Sequence, residues 1–161
     1  MAQYTRTAVA YLALGSNKGD RKYNCRYAVN CLMDLDKVVV LEESSFYLTR
    51  PVGGPLQEEY LNGVVKIETS LLPVELLHGA KNIEKQMGRK PAPRNYPRII
   101  DIDILLYGDI AIKEEGISIP HSRMHERHFV LKGLYEIAPD VVHPVLNKTV
   151  RELCETVNNG C

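Results

Sequence analysis

The hydrophobic positions along the chain follow two periods, and each change of period marks the boundary of a predicted element. Short apolar or β-branched runs bounded by turn residues predict strands over residues 9–14, 38–47, 60–69 and 99–107. Apolar residues at helical spacing predict helices over residues 20–34, 73–87, 129–138 and 149–157. The capping signals that support these boundaries are Asp20 as an N-cap, Pro73 in a first turn, Gly88 as a stop, and Thr149 with Glu152 as a capping box.

The predicted elements occur in the order β-α-β-β-α-β, followed by a tail with a small hairpin and two helices. This order is that of the ferredoxin-like split βαβ arrangement, an α+β fold. It predicts an antiparallel sheet with both long helices on one face, and the opposite face would be free for a ligand. The chain contains no repeat, low-complexity tract or linker, which predicts a single domain over residues 1–161.

Charge and cysteine content narrow the class of protein. The chain has 20 basic and 20 acidic residues, and this zero net charge argues against a dedicated nucleic-acid binder. The longest apolar run, residues 8–14, is far shorter than the ~20 residues of a membrane span. The polar N-terminus lacks a signal-peptide core, so a cytoplasmic location is expected. The spacing of Cys25, Cys31, Cys154 and Cys161 resembles neither a zinc site nor a disulfide framework and predicts reduced thiols.

The most informative segment is the alternating run from Ile100 to Ile104. Alternation turns its isoleucines toward the core and brings Asp101 and Asp103 to the other face of the strand. Two carboxylates about 6.6 Å apart repel each other unless a cation lies between them. Carboxylates beside a phosphate substrate are a common way to hold Mg²⁺. The alternative is a solvated polar face on an edge strand.

Positive charge is concentrated beside this acidic pair. The loop over residues 89–98 contains four cations and no anion, and residues 121–132 add Arg123, Arg127 and Lys132. Arginine forks match phosphate oxygens, so an anionic ligand with a divalent metal would account for both signs of charge. Either stretch alone could instead be a solvated basic loop.

Other polar residues suggest a heterocycle site rather than a transition-metal site. Tyr60 and Asn62 share one side of a strand, where they could stack against and hydrogen-bond a flat heterocycle, or simply cover the sheet. His121, His125 and His128 lack a matching carboxylate close in sequence, which disfavours metal ligation. Contact of His121 with phosphate is the better hypothesis.

Known phosphate-binding and nucleophile motifs do not account for these features. The glycines of residues 15–19 lack P-loop spacing, and there is no kinase signature and no G-x-S-x-G elbow. Two rival classes remain: a non-enzymatic ferredoxin-like module that binds a small ligand or RNA, and a metal-dependent phosphohydrolase. The RNA interpretation expects a basic, aromatic-rich sheet, which this chain lacks.

A set of motifs from about residue 8 to about residue 144 resembles the 6-hydroxymethyl-7,8-dihydropterin pyrophosphokinase family. The matching segments are YLALGSN at 11–17, SFY at 45–47 with Thr49, YLN at 60–62, ETSL at 68–71, residues 84–89, PRIIDID at 97–103, Pro120-His121, and Arg127 with Phe129. The P-R-x-x-D-[IL]-D-[IL] stretch is far more specific than a bare D-x-D. Tyr96 stands in the loop where members commonly carry a tryptophan.

The resemblance implies a role for each matching residue. The implied catalytic residues are Arg89, Arg98, Asp101 and Asp103, of which the two aspartates would bind two Mg²⁺ ions. The implied ATP contacts are Arg89, Arg98, Ser118, His121 and Arg127. The implied pterin contacts are Thr49, Val52, Asn62, and Tyr60 with Phe129 as the two sides of a sandwich. Glu84 would lie under the site and pair with arginine, and the loops over 50–59 and 89–97 would close over the substrates.

The implied reaction is transfer of a pyrophosphoryl group from ATP to the hydroxymethyl oxygen of the pterin, with release of AMP. Such a reaction depends on in-line positioning and on neutralising the charge that moves toward AMP. The proton of the alcohol could pass to Asp103 or to water. The implied partners are these small molecules alone, without nucleic acid or membrane, and the protein is expected to be a monomer.

Overall fold

The computed structural model describes residues 6–157 and 160–161. Its strands are β1 (Ala8–Ser16), β2 (Val38–Glu43), β3 (Tyr47–Thr49), β4 (Tyr60–Thr69), β5 (Asp101–Tyr107), β6 (Ile112–Glu114), β7 (Ile117–Ile119), β8 (Val142–His143) and β9 (Lys148–Thr149). Its helices are α1 (Arg21–Asp34), α2 (Pro73–Gln86), α3 (His128–Ile137) and α4 (Val150–Thr156), and a short 3-10 turn covers Met124–Glu126. The predicted mixture of helices and antiparallel sheet is confirmed.

The helix boundaries follow from the local capping chemistry. Asp20 caps α1 by accepting a hydrogen bond from the Tyr23 N–H at 3.0 Å. Gly88 lies just beyond α2 with φ of +93°, a conformation that glycine adopts without steric cost. Thr149 Oγ1 accepts from the Glu152 N–H at 3.1 Å, and the Glu152 carboxylate accepts from the Thr149 N–H at 3.3 Å. These three predicted signals are confirmed.

The main sheet has the strand order β2-β4-β1-β5, with β3 added beside β4, and all its pairings are antiparallel. Two further strand pairs, β6–β7 and β8–β9, are separate from it. The prediction of one continuous strand over 38–47 is wrong, because the chain leaves the sheet after Glu43. There Ser44 exchanges backbone and side-chain hydrogen bonds with Val64, and the Phe46 ring packs against the backbone of Gly63. A Cβ atom at Gly63 would lie only 2.6 Å from that ring.

Each face of the sheet carries its own hydrophobic core. On one face, α1 and α2 pack on buried residues of the sheet that include Leu12, Leu14, Ile102 and Ile104, and on Ile100 just before β5. On the other face, α3 and α4 pack over Tyr11, Val64, Leu105 and Leu106. The prediction that this second face is free for a ligand is therefore wrong for the half that α3 and α4 cover. The other half remains open.

A β-bulge in β5 explains how one strand serves both a site and a core. Leu12 pairs with Ile104 and Tyr11 pairs with Leu106, so Leu105 is an extra residue. Both Leu105 and Leu106 consequently face the second core, while the residues before them keep strict alternation.

The prediction of four reduced thiols is wrong for two cysteines. Cys154 of α4 and Cys161 form a disulfide, with their Cα atoms 5.2 Å apart. Cys25 and Cys31 are free, and burial raises the pKa of Cys25 to about 12. Within residues 6–157 and 160–161, no helix has the length and apolar character needed to cross a bilayer. The expectation of a cytoplasmic location rests on the polar N-terminal segment, and residues 1–5 of that segment lie outside the described residues.

Candidate active site

A cavity of about 460 Å³ occupies the open half of the second sheet face. The predicted site residues that line it are Thr49, Val52, Tyr60, Asn62, Arg98, Asp101, Asp103, His121, Arg127 and Phe129. They come from β3, β4, β5, the loop that follows β3, the loop that precedes β5, the segment before α3, and the first turn of α3. The topology therefore brings together the residues that were predicted to bind a heterocycle and those predicted to bind phosphate.

The floor of the cavity is formed where β1 carries small residues. Ala13 pairs with Asp103, and Gly15 lies between Asp101 on one side and Asn62 on the other. A Cβ atom at Gly15 would lie 2.6 Å from Asn62 Oδ1 and 3.4 Å from the Tyr60 ring. Glycine at this position therefore leaves room for the side chains of the neighbouring strand.

One end of the cavity has an aromatic and amide character. Asn62 is only 8% exposed, and its Nδ2 donates to Thr49 Oγ1 at 2.5 Å. Tyr60 pairs directly with Thr49 across the β3–β4 ladder, and Phe129 lines the same cavity from α3. Two aromatic side chains with one oriented amide can hold a planar, polar ring and bind its edge.

The other end contains the acidic pair, and both carboxylates lie on the cavity face as predicted. Asp101 Oδ1 accepts hydrogen bonds from Nη1 of Arg89 at 2.9 Å and from Nη1 of Arg98 at 3.2 Å. No ion pair involves Asp103 in the part of the chain that the structure describes. Burial raises the pKa of Asp103, and the neighbouring Asp101 adds to this effect, against the opposing influence of His121.

Glu84 supports the acidic end from below. It is 3% exposed, accepts the Ile102 N–H at 2.8 Å, and lies 2.7 Å from Nη1 of Arg89. Burial raises the pKa of Glu84, whereas the Ile102 N–H, Lys81 and Arg89 favour its charged form. Arg89 thus bridges a buried carboxylate and a cavity carboxylate, although it does not itself line the cavity.

The acidic pair fits a hard divalent cation that is shared with a phosphate ligand. Magnesium is commonly bound by one or two carboxylates while phosphate and water supply its other ligands. Asp101 and Asp103 provide such a pair beside Arg98, Arg127 and His121. Among the described residues, no group of three or more His, Cys, Asp or Glu side chains could hold a metal ion without such help.

His121 borders both the acidic pair and the second cationic segment. Its backbone N–H donates to the Leu105 carbonyl at 2.9 Å, which fixes the start of the second cationic segment to β5. Burial lowers the pKa of His121, and Asp103 opposes this shift. A neutral imidazole here can donate a hydrogen bond to a phosphate oxygen.

Two residues without a predicted role hold the loops in place. Asn17, which is 2% exposed, accepts the Arg98 N–H at 2.8 Å and donates to Gln57 Oε1 at 2.8 Å. Gln57 in turn donates to the Asn95 carbonyl at 2.7 Å. Asn17 therefore joins the end of β1 to both loops. The only sequence signal was its position in the G-S-N segment that follows an apolar strand.

Some residues from the sequence analysis lie outside the cavity. Ser118, an implied ATP contact, is exposed on β7 opposite Lys113 and does not line the cavity, and neither does Tyr96, which is 42% exposed. Conversely, Arg123 and His128 line the cavity, although neither had a predicted role as a ligand contact. They flank the 3-10 turn, whose path the sequence pattern did not indicate.

The chain is similar in sequence to proteins of one enzyme family. Residues 11–139 match the family model described as 7,8-dihydro-6-hydroxymethylpterin-pyrophosphokinase (HPPK). The chain is 39% identical over 149 residues to the 2-amino-4-hydroxy-6-hydroxymethyldihydropteridine pyrophosphokinase of Haemophilus influenzae, covering 91% of this chain and 93% of that protein. It is 47% identical over 133 residues to the protein of the same name from Bacillus subtilis, covering 83% and 80% of the two chains.

Longer proteins also contain a matching region. The chain is 40% identical over 148 residues to the folic acid synthesis protein fol1 of Schizosaccharomyces pombe, of which it spans only 20%. In fold it is similar to the wild-type HPPK-DHPS of Plasmodium falciparum, with a TM-score of 0.72 at 19% identity, covering 92% of this chain and 44% of that one. The sequence matches show that this chain belongs to the 7,8-dihydro-6-hydroxymethylpterin-pyrophosphokinase family.

Proposed function

We propose that this chain transfers the β,γ-pyrophosphoryl group of ATP to the hydroxymethyl oxygen of 6-hydroxymethyl-7,8-dihydropterin, a step of folate biosynthesis that releases AMP. The observation that carries the proposal is one cavity with an aromatic and amide end beside an acidic and cationic end. Membership of the family supports the same reaction. Neither end alone would distinguish a transferase from a simple binding site.

At the phosphate end, the work of the chain is to bind and orient charge. Arg98, Arg127 and His121 would contact the phosphate oxygens, because their side chains border the acidic pair. Arg89 would assist from behind Asp101, where Glu84 holds its guanidinium. Arginine charge placed where negative charge develops lowers the barrier without any covalent step. Contact of Ser118 with ATP remains a prediction from the sequence, and the cavity does not support it because Ser118 lies outside it.

Asp101 and Asp103 would hold two Mg²⁺ ions together with the phosphates. When bound, these ions would supply charge neutralisation on the transferring group and on the leaving AMP. The carboxylates themselves would orient the phosphate chain relative to the pterin end of the cavity.

At the pterin end, Tyr60 and Phe129 would enclose the ring. Asn62, oriented by Thr49, would hydrogen-bond its edge, and Val52 would cover it from the loop. Holding two substrates in line converts their encounter into an intramolecular event, which is worth several kcal/mol. The loops over 50–59 and 89–97 would exclude water when both substrates are bound.

The direct test is to mix the protein with ATP, Mg²⁺ and 6-hydroxymethyl-7,8-dihydropterin and to measure AMP. We expect AMP only when the pterin is present, and we expect Asp101→Ala or Asp103→Ala to abolish it while the circular dichroism spectrum is unchanged. Asp109→Ala is the matched control, because Asp109 is an exposed aspartate just beyond β5. Nucleotide hydrolysis without pterin would instead favour a phosphohydrolase, and full activity of either cavity variant would refute the metal-binding role.

We also propose a fold class, a domain organisation and an oligomeric state for the chain. The strand order β2-β4-β1-β5 supports a ferredoxin-like classification of the core. Because both cores share one sheet, residues 1–161 would act as a single domain. A monomer in the cytoplasm, where ATP is supplied, would suffice for this reaction.

A further inference from the structure

Helix α3 makes three contacts that lie along one face. Phe129, Gly133 and Glu136 are spaced four and three residues apart, which aligns them on the side that faces the sheet. Phe129 lines the cavity, and Gly133 lies so close to β4 that a Cβ atom there would be 2.6 Å from Val64 Cγ2. The backbone of α3 therefore packs against the Val64 side chain of β4 at Gly133, which lies between Phe129 and Glu136.

The far end of this face is fixed by the Glu136 carboxylate. Its Oε1 accepts both the Ser45 N–H and the Ser45 hydroxyl at 2.8 Å, and its Oε2 accepts the Tyr47 hydroxyl. Lys132, one turn earlier, places Nζ 4.2 Å from the centre of the Tyr47 ring. Although burial opposes it, hydrogen bonding from Tyr47 and Ser45 keeps the pKa of Glu136 below its ordinary value.

The segment that Glu136 holds leads into β3, which carries Thr49 and pairs with β4, the strand of the other ring-binding residues. Tyr47 pairs with Asn62 across the β3–β4 ladder, and Thr49 pairs with Tyr60. Glu136 itself does not line the cavity. Its hydrogen bonds therefore set the distance between α3, which carries Phe129, and the strands that carry the other ring contacts.

We propose that Glu136 is a positioning residue that sets the width of the heterocycle slot by fixing α3 to the segment before β3. This inference rests on the proposed function, because the slot is taken to hold the pterin ring. A helix rises about 1.5 Å per residue, so Phe129 lies about 6 Å and Glu136 about 4.5 Å from Gly133. Rocking of α3 about the Gly133 contact would move Phe129 by slightly more than it moves Glu136.

The test compares substitutions of Glu136 in the full-length protein, with Glu155→Gln as a control on the exposed face of α4. Glu136→Ala should raise the Kd for the pterin, measured by calorimetry, by at least about tenfold, because small misplacements cost large factors. The KM for ATP should change by less than the Kd for the pterin does, because Arg98 and His121 lie outside α3 and only Arg127 adjoins its N-terminus. Glu136→Gln should restore most of the pterin affinity, because its amide oxygen can accept from Ser45 and its NH2 can donate to the Tyr47 hydroxyl.

Each outcome separates the inference from the proposed function. If the wild-type protein binds pterin and forms AMP but Glu136→Ala binds pterin equally well, only the inference fails. Parallel losses for pterin and ATP, or failure of Glu136→Gln to rescue, would also overturn it, because they indicate general loss of structure or a need for the charge. If Glu136→Ala does not fold, Tyr47→Phe replaces it, with an expected loss of about threefold in pterin affinity from one hydrogen bond. A wild-type protein that neither binds pterin nor forms AMP would refute both proposals.

Discussion

Removing the buried Glu84 carboxylate should destabilise the protein, and two substitutions can separate its role as acceptor of the Ile102 N–H from its role as ion-pair partner of Arg89. Glu84→Ala leaves the Ile102 N–H without its acceptor and removes one of the two carboxylates that contact Arg89. Breaking a buried ion pair from one side costs about 3–5 kcal/mol. We expect the lower end, about 3 kcal/mol, because Arg89 keeps Asp101 and its side chain is 22% exposed. Glu84→Gln retains an oxygen for the Ile102 N–H and should cost about 1–2 kcal/mol.

Urea unfolding followed by circular dichroism measures these differences as shifts in midpoint at constant slope. Lys81→Ala is the matched control, because Lys81 contacts the same carboxylate at 3.3 Å but is 48% exposed. It should change the free energy of unfolding by less than about 1 kcal/mol. If Glu84→Ala were no more destabilising than Lys81→Ala, the argument that Glu84 is a buried support of β5 would be wrong.

Two further predictions concern the cavity floor and pH. Gly15→Ala should weaken pterin binding by at least about tenfold, because the new Cβ displaces Asn62 from Thr49; unchanged affinity in calorimetry would contradict this. Burial lowers the pKa of His143, so below about pH 6.5 the unfolded chain binds a proton that the folded chain does not. The free energy of unfolding should therefore fall as the pH drops from 7 to 5, and less so in His143→Gln; equal slopes for both proteins would exclude His143 as the cause.

The parts of the fold that could be predicted depend on short-range rules. The Asp20 cap and the Thr149–Glu152 capping box each act within three residues, so a local pattern contains all the information. The alternation around Asp101 and Asp103 likewise determines their common face from geometry alone. Residue types alone indicated the acidic pair, the cationic segments, and Tyr60 with Asn62, whereas the other predicted cavity residues came from the family resemblance.

The parts that could not be predicted depend on contacts between distant segments. Glu136 and Ser45 are 91 residues apart, and neither has a local signal for the other. The break after β2 arises because Phe46 packs on Gly63 of another strand. The covering of half the sheet by α3 and α4 also escaped prediction, because helical periodicity shows which face is apolar but not which surface receives it.

The extra residue in β5 limits which changes of chain length the protein can tolerate. Residues before Leu105 and residues after it alternate with opposite parity, so deleting a residue elsewhere in β5 would send either Tyr107 or the aspartates to the wrong face, whereas deleting Leu105 would only remove the bulge. Insertion–deletion scanning should therefore abolish activity at the other interior positions of β5 and be better tolerated at Leu105. The same scan should be tolerated at the hairpin turn near Gly116, where a Cβ atom would meet nothing within 4 Å. That turn is accordingly a practical point for attaching a reporter domain or a fluorescent label.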